Sequence, residues 1–121
     1  MSDSIAQFFS AWQITSAEDR RATIASAVCE NIQYSDPRTQ EPITTIDALS
    51  DYIGEFSANA PGWSAHVVAQ DTITGTTRAT IAFGGPGPDG KTAEQLGQYF
   101  VEFDGEQITR MVGFAGTGSR F

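Results

Sequence analysis

The chain has 121 residues, 40 % of them apolar and 11 % aromatic, which is enough for one domain built on one core. Fifteen acidic residues against seven basic ones give a formal net charge of −8, a balance that excludes the clustered Lys and Arg of a nucleic-acid or anionic-membrane surface. One cysteine, Cys29, and one histidine, His66, leave no internal disulfide and no zinc site of the usual ligand types, so no metal or cofactor is expected.

No basic-then-apolar leader pattern opens the sequence and no apolar run approaches membrane-spanning length, so a cytoplasmic protein is expected. Residues 3–14 place Ile5, Phe8, Phe9 and Trp12 at i, i+3, i+4 and i+7, one broad apolar stripe on a helix. That stripe serves a core or the wall of a pocket. Ser16 is a candidate N-cap with Asp19 in the capping-box position, and a second helix follows over about 17–30. Its Glu18-Asp19-Arg20-Arg21 run reads as a solvated turn, and Cys29 as a small thiol buried on the same helix.

Asn31 to Asp36 reads as a short strand. Tyr34 and Asp36 are two residues apart and so share one side of an extended backbone, and Pro37 ends the strand because it cannot donate to a ladder. Asp36 can therefore face a cavity, or it can serve as a turn residue that bonds nearby backbone N–H groups. After a loop over 37–43, Thr44 or Thr45 caps a third helix, about 45–58, with Ile46, Leu49, Ile53 and Phe56 at helical spacing. Asn59-Ala60-Pro61-Gly62 stops it.

From Trp63 onward the period changes to two. Residues 64–73, 77–84, 96–104 and 107–115 read as four strands, with turns at Gly75, at Gly84–Gly90 and at Asp104-Gly105. Helices first and consecutive hairpins after them make an α+β domain over 1–121 with an antiparallel meander. Gly85-Pro86-Gly87-Pro88-Asp89-Gly90-Lys91-Thr92 fits the phosphate-loop pattern letter for letter. Pro86 and Pro88 each remove a backbone N–H that a phosphate cradle needs, so the stretch is a hairpin loop instead. Gly116 to Ser119 reads as a polar tail.

In order and spacing, Phe8-Phe9-Ser10-Ala11-Trp12, Tyr34-Ser35-Asp36-Pro37, Ile46-Asp47-Ala48-Leu49 with Tyr52-Ile53, and Tyr99 through Gly105 resemble the nuclear transport factor 2-like superfamily. It includes SnoaL-like cyclases, ketosteroid isomerases and scytalone dehydratase. The resemblance covers nearly the whole chain and implies a single SnoaL-like domain of cone-shaped, cystatin-like fold, with helices packed in a curved antiparallel sheet around an apolar pocket.

In ketosteroid isomerases the aspartate before the proline is the general base, which maps onto Asp36. Those enzymes hold the oxyanion with a tyrosine from the first helix and an aspartate from the third meander strand. This sequence departs at both, with Phe8, Phe9 and Trp12 on the helix and Gln98 or Tyr99 on the strand. Tyr99 shares a strand face with Val101 and Phe103 and is the better pocket candidate. Cyclases and the dehydratase pair an Asp with a His, which brings in His66. It shares a face with Val68 and Gln70, either pocket-side or outer.

The resemblance thus implies a site of Asp36, Tyr99 and His66 walled by Phe8, Trp12, Tyr34, Ile53, Trp63, Val101 and Phe103. It would bind a small apolar molecule, with proton transfer next to a carbonyl as the enzymatic version. The alternative is a non-catalytic protein–protein or dimerisation module. A homodimer through the outer face of the sheet is expected in either case, with no nucleic-acid or membrane partner.

Overall fold

The computed structural model describes residues 3–117, so Gly118 and Ser119 of the expected tail lie outside the described residues. Helix α1 spans Ser4–Ser10, capped by the Asp3 carboxylate on the Ala6 N–H, and runs on as a 3₁₀ turn over Ala11–Gln13. Helix α2 spans Ala17–Ala27, with the Ser16 hydroxyl accepting from the Asp19 N–H. Strand β1 spans Val28–Ser35, and helix α3, capped by Thr45, spans Ile46–Asn59. Strands β2 (Ser64–Ile73), β3 (Thr76–Pro86), β4 (Thr92–Asp104) and β5 (Gln107–Ala115) complete the domain.

The five strands form one sheet in the order β1-β5-β4-β3-β2. The expected antiparallel meander is there, but β1 adds to it in parallel, with Tyr34 opposite Met111, so the sheet is mixed. This pairing also moves the end of α2. Val28 and Cys29 continue no helix; they are in β1, where Val28 pairs with Ile108 and the half-buried Cys29 thiol donates to the Ile108 carbonyl. The tertiary ladder decides the boundary, because no Gly or Pro marks it locally.

The turns follow their glycines. Thr74 and Gly75 both have positive φ between Ile73 and Thr76, as a two-residue type I′ hairpin loop requires. Gly105 leads the loop between Asp104 and Gln107. The phosphate-loop look-alike is the hairpin between β3 and β4. Its edge is tied down by Trp63, whose indole Nε1 donates to the Pro86 carbonyl at 2.9 Å.

The core lies between the helices and one face of the sheet, where Phe8, Phe9, Leu49, Ile53, Val101 and Met111 are wholly buried. Each such side chain stabilises the fold by roughly 1.5–3 kcal/mol. One charge joins it. Arg20, expected in a solvated turn, is only 8 % exposed. Its Nε donates to the Ser50 carbonyl at 3.1 Å and its Nη1 to the Ile14 carbonyl at 3.0 Å. A Cβ at Gly54 would lie 2.5 Å from Nη2, so α3 is thinned where the guanidinium crosses it.

Of the strand arginines, Arg110 pairs with Glu102 at 3.4 Å across the last hairpin, and Arg78 pairs with Asp71 at 3.0 Å. The outer face of the sheet carries Leu96, Phe100 and Phe114, the last 56 % exposed. Among the described residues no helix is long and apolar enough to cross a membrane.

Candidate functional site

The chain has three tyrosines, and all three converge on one carboxylate. Tyr34 donates to Asp36 Oδ2 at 2.8 Å, and Tyr52 reaches Oδ1 at 2.8 Å and Oδ2 at 2.6 Å. The Tyr99 hydroxyl meets that of Tyr34 at 2.9 Å. Each phenol owns one hydrogen. Tyr34 gives its hydrogen to Asp36, so the hydrogen between Tyr34 and Tyr99 belongs to Tyr99. The chain of donors therefore runs Tyr99 to Tyr34 to Asp36, with Tyr52 joining from the other side.

Four elements place these groups. Tyr34 is on β1 and is wholly buried, with its backbone bridged to Ile43 in both directions. Asp36 follows in the turn made by Pro37, where Oδ1 also accepts the Arg38 N–H at 2.9 Å and Thr39 closes on the Asp36 backbone. Asp36 is thus at once a turn acceptor and a cavity-lining carboxylate. Tyr52 comes from α3, one turn past Leu49. Tyr99 comes from β4 and reaches Tyr34 across the intervening strand β5. The crossing needs Gly113, which pairs with Tyr99, because a Cβ there would stand 2.5 Å from the ring.

Burial pushes the Tyr34 phenol well above the ordinary tyrosine range, and the neighbouring Tyr99 and Asp36 charges add to it. Burial likewise raises Tyr52, with its bond to Asp36 next. It raises Tyr99 too, against the opposing pull of its bond to Tyr34. All three are neutral hydroxyls at physiological pH.

Beside the cluster opens a cavity of about 360 Å³, lined by Asp36, Tyr52, Tyr99, Trp12, Phe56 and Phe83, among others. The aromatic rings interlock. Trp12 lies edge-to-face with Phe56 at 4.9 Å and Phe83 at 5.5 Å, and Phe9 with Tyr99 at 5.0 Å. Arg38 lines the same cavity with its guanidinium 5.9 Å above the Phe56 ring. Among the described residues, no three His, Cys, Asp or Glu side chains come together as a metal site would need.

Of the expected site residues, Asp36, Tyr99, Trp12 and Trp63 line this cavity. Phe8, Tyr34, Ile53 and Val101 are wholly buried behind it, and Phe103 packs, partly buried, against the core. His66 stands apart. Its β2 neighbours Ala65 and Val67 turn inward, so His66 and Val68 are exposed on the outer face, away from Asp36. Tyr52, Phe56, Phe83 and Arg38 were not anticipated as site residues. Tyr52 had a signal: it falls on the apolar stripe of Leu49, Ile53 and Phe56, where a hydroxyl needs a partner.

Neither a protein-family model nor a curated protein matches the chain in sequence. Solved structures do match in shape. A protein from Agrobacterium tumefaciens described as a candidate isomerase of the SnoaL-like family superposes with a TM-score of 0.78 at 22 % identity, covering 94 % of this chain and 95 % of that one. A protein of ketosteroid isomerase-like fold from Catenulispora acidiphila, solved with trimethylamine, gives 0.77 at 13 % identity over 98 % and 89 %. A nuclear transport factor 2-like protein of unknown function from an Exiguobacterium species gives 0.73 at 13 % over 95 % and 99 %. At these identities the likeness speaks for architecture alone: the chain has the nuclear transport factor 2-like fold that SnoaL-like and ketosteroid isomerase-like proteins share.

Proposed function

We propose that the cavity binds a small, largely apolar molecule and that Asp36 accepts a proton from the carbon next to its carbonyl. The convergence of every tyrosine on one cavity-lining carboxylate carries this reading. Three hydrogens, from Tyr34, Tyr52 and the Arg38 N–H, occupy a carboxylate with about four acceptor positions, which leaves about one for an incoming proton.

The hydroxyl chain supplies the second half of the step. Once Asp36 holds the proton it can donate to Tyr34, Tyr34 can turn its hydrogen to Tyr99, and Tyr99 can turn its own into the cavity. The electron pair left by the C–H bond moves onto the carbonyl oxygen, and Tyr99 then donates to that oxyanion. A structural neighbour described as a candidate isomerase, and another that holds a small organic molecule, agree with a ligand-binding use of the fold.

The test uses 2-tetralone, an apolar bicyclic ketone with acidified C–H bonds beside its carbonyl. NMR should show it in the cavity, and its hydrogens beside the carbonyl should exchange with deuterium oxide in the presence of the protein. Asp36→Asn should keep binding and lose at least about 100-fold of the exchange rate, the usual worth of a general base. Binding without Asp36-dependent exchange would remove the enzymatic part. No binding of any apolar probe would remove the ligand site.

A second reading has its own observation and is compatible with the first. Leu96, Phe100 and Phe114 form an exposed apolar patch on the outer face, with Phe100 and Phe114 edge-to-face at 5.8 Å. We read it as the contact of a homodimer. Sedimentation at micromolar concentration should give twice the 13.0 kDa chain mass, and a monomer alone counts against it.

A further inference from the structure

Five arginines lie among the described residues, and four of them spend the guanidinium on a partner in the chain. Arg20 donates to the Ser50 and Ile14 carbonyls. Arg21 pairs with Asp47, Arg78 with Asp71 and Arg110 with Glu102. Arg38 is different. Its backbone N–H binds Asp36, but its guanidinium has no hydrogen-bond or ion-pair partner among the described residues.

This cation is nonetheless held at the site. It lines the cavity, and its guanidinium lies over the Phe56 ring, 5.9 Å from the centroid. A guanidinium placed on a ring in this way keeps its N–H donors for another partner. Its charge is felt by the tyrosines. Burial raises the Tyr52 and Tyr99 phenols, and the Arg38 charge, a smaller influence, pulls both back down. Two amides line the same cavity. Asn59 is three residues past Phe56, on the same side of α3, and Gln95 comes from β4. Each offers an NH₂ group that no acceptor takes up among the described residues.

We infer that Arg38, with Asn59 and Gln95, holds a carboxylate of the ligand, which makes the ligand an apolar keto acid rather than a neutral ketone. This deepens the small-molecule reading above and rests on it. The planar guanidinium matches a carboxylate with two parallel N–H···O bonds. A phosphate monoester fits less well. It carries a charge of about −1.5 to −2, and one cation beside Asp36, in a chain of net charge −8, neutralises a single unit. A ligand pinned at its carboxylate has fewer ways to turn, so the carbon next to its carbonyl stays at Asp36.

The test uses 2-tetralone carrying a carboxylate at each of its four aromatic ring positions in turn, and for each one the carboxamide, which has the same shape and no charge. In the wild-type protein at neutral pH, at least one carboxylate should bind about fivefold more tightly than its carboxamide, the upper range for an ion pair open to water. Arg38→Gln keeps the backbone N–H to Asp36 and should erase that preference. Carboxamides that bind as well as every carboxylate overturn the inference, and so does a preference that survives Arg38→Gln.

The wild-type protein gives a second readout that needs no variant. The Arg38 Nε–H resonance should move downfield with the preferred carboxylate and not with its carboxamide, while that of Arg20, already bonded to Ser50, responds to neither. An Arg38 signal indifferent to the carboxylate overturns the inference. Binding of 2-tetralone and the carboxamides with no gain from charge leaves the ligand site standing and removes the keto acid. Failure of every probe to bind overturns both together.

Discussion

Among the described residues, Arg20 and Asp36 are the two charged side chains drawn toward the interior, and they are held in opposite ways. Arg20 is gripped by the backbone carbonyls of Ser50 and Ile14. Asp36 is gripped mainly by the hydroxyls of Tyr34 and Tyr52, with the Arg38 N–H as its backbone partner. A backbone carbonyl can only accept, so nothing around Arg20 can change without breaking the fold. A hydroxyl donates or accepts by turning about one bond, so the surroundings of Asp36 can follow a proton. The difference separates a charge that ties helices together from a charge that can take part in chemistry.

Three measurements break or sharpen this contrast. The largest effect is expected at Arg20. Arg20→Met should cost about 3 kcal/mol in urea unfolding, because two carbonyls lose a charged donor, and should leave probe affinity in the cavity unchanged. If it also weakened the cavity, the two charges would belong to one unit.

Next in size is Gly113→Ala, which sets a Cβ against the Tyr99 ring. Overpacking of this kind costs about 2 kcal/mol, and here it should also abolish the Asp36-dependent exchange by parting Tyr99 from Tyr34. Retained exchange would separate Tyr99 from the chemistry.

The smallest effect is read by pH. A phenol whose folded pKa is raised keeps its proton longer in the native state than in the unfolded one. Its contribution to stability is complete below the unfolded value of about 10 and is lost as pH rises through the folded value. All three tyrosines are in the cluster, so phenolate absorbance should be nearly absent at pH 10 and should appear together with alkaline unfolding. Half-ionisation at pH 10 in the folded protein would mean that the cluster is open to solvent.

Much of the architecture was legible because it is written in short-range terms. The i, i+3, i+4 stripe around Phe8 and Trp12, the Ser16 and Thr45 caps and the Gly75 and Gly105 turns each depend on a few neighbouring residues. What failed depended on partners far along the chain. Val28 and Cys29 leave the helix because Ile108 pairs with this part of the chain, and Arg20 is buried because α3 offers a gap at Gly54. The site divides the same way. Tyr34 and Asp36 follow from strand parity, and Tyr99 from the parity of β4. The joining of Tyr52 and Tyr34 to one carboxylate, and the side of the sheet that His66 occupies, are set by how α3 and the edge strands sit, which no local pattern records.

The parallel pairing of β1 with β5 also orders events during synthesis. A nascent chain that has exposed its first 104 residues contains Asp36, all three tyrosines and the strands β2, β3 and β4. It still lacks β5, the strand that sits between Tyr34 and Tyr99 and joins β1 to the sheet. Until then β1 has only its isolated bridge to Ile43. The Asp36 carboxylate therefore acquires its full complement of partners only when β5 arrives, and a chain cut short before β5 carries every polar group of the site without the site.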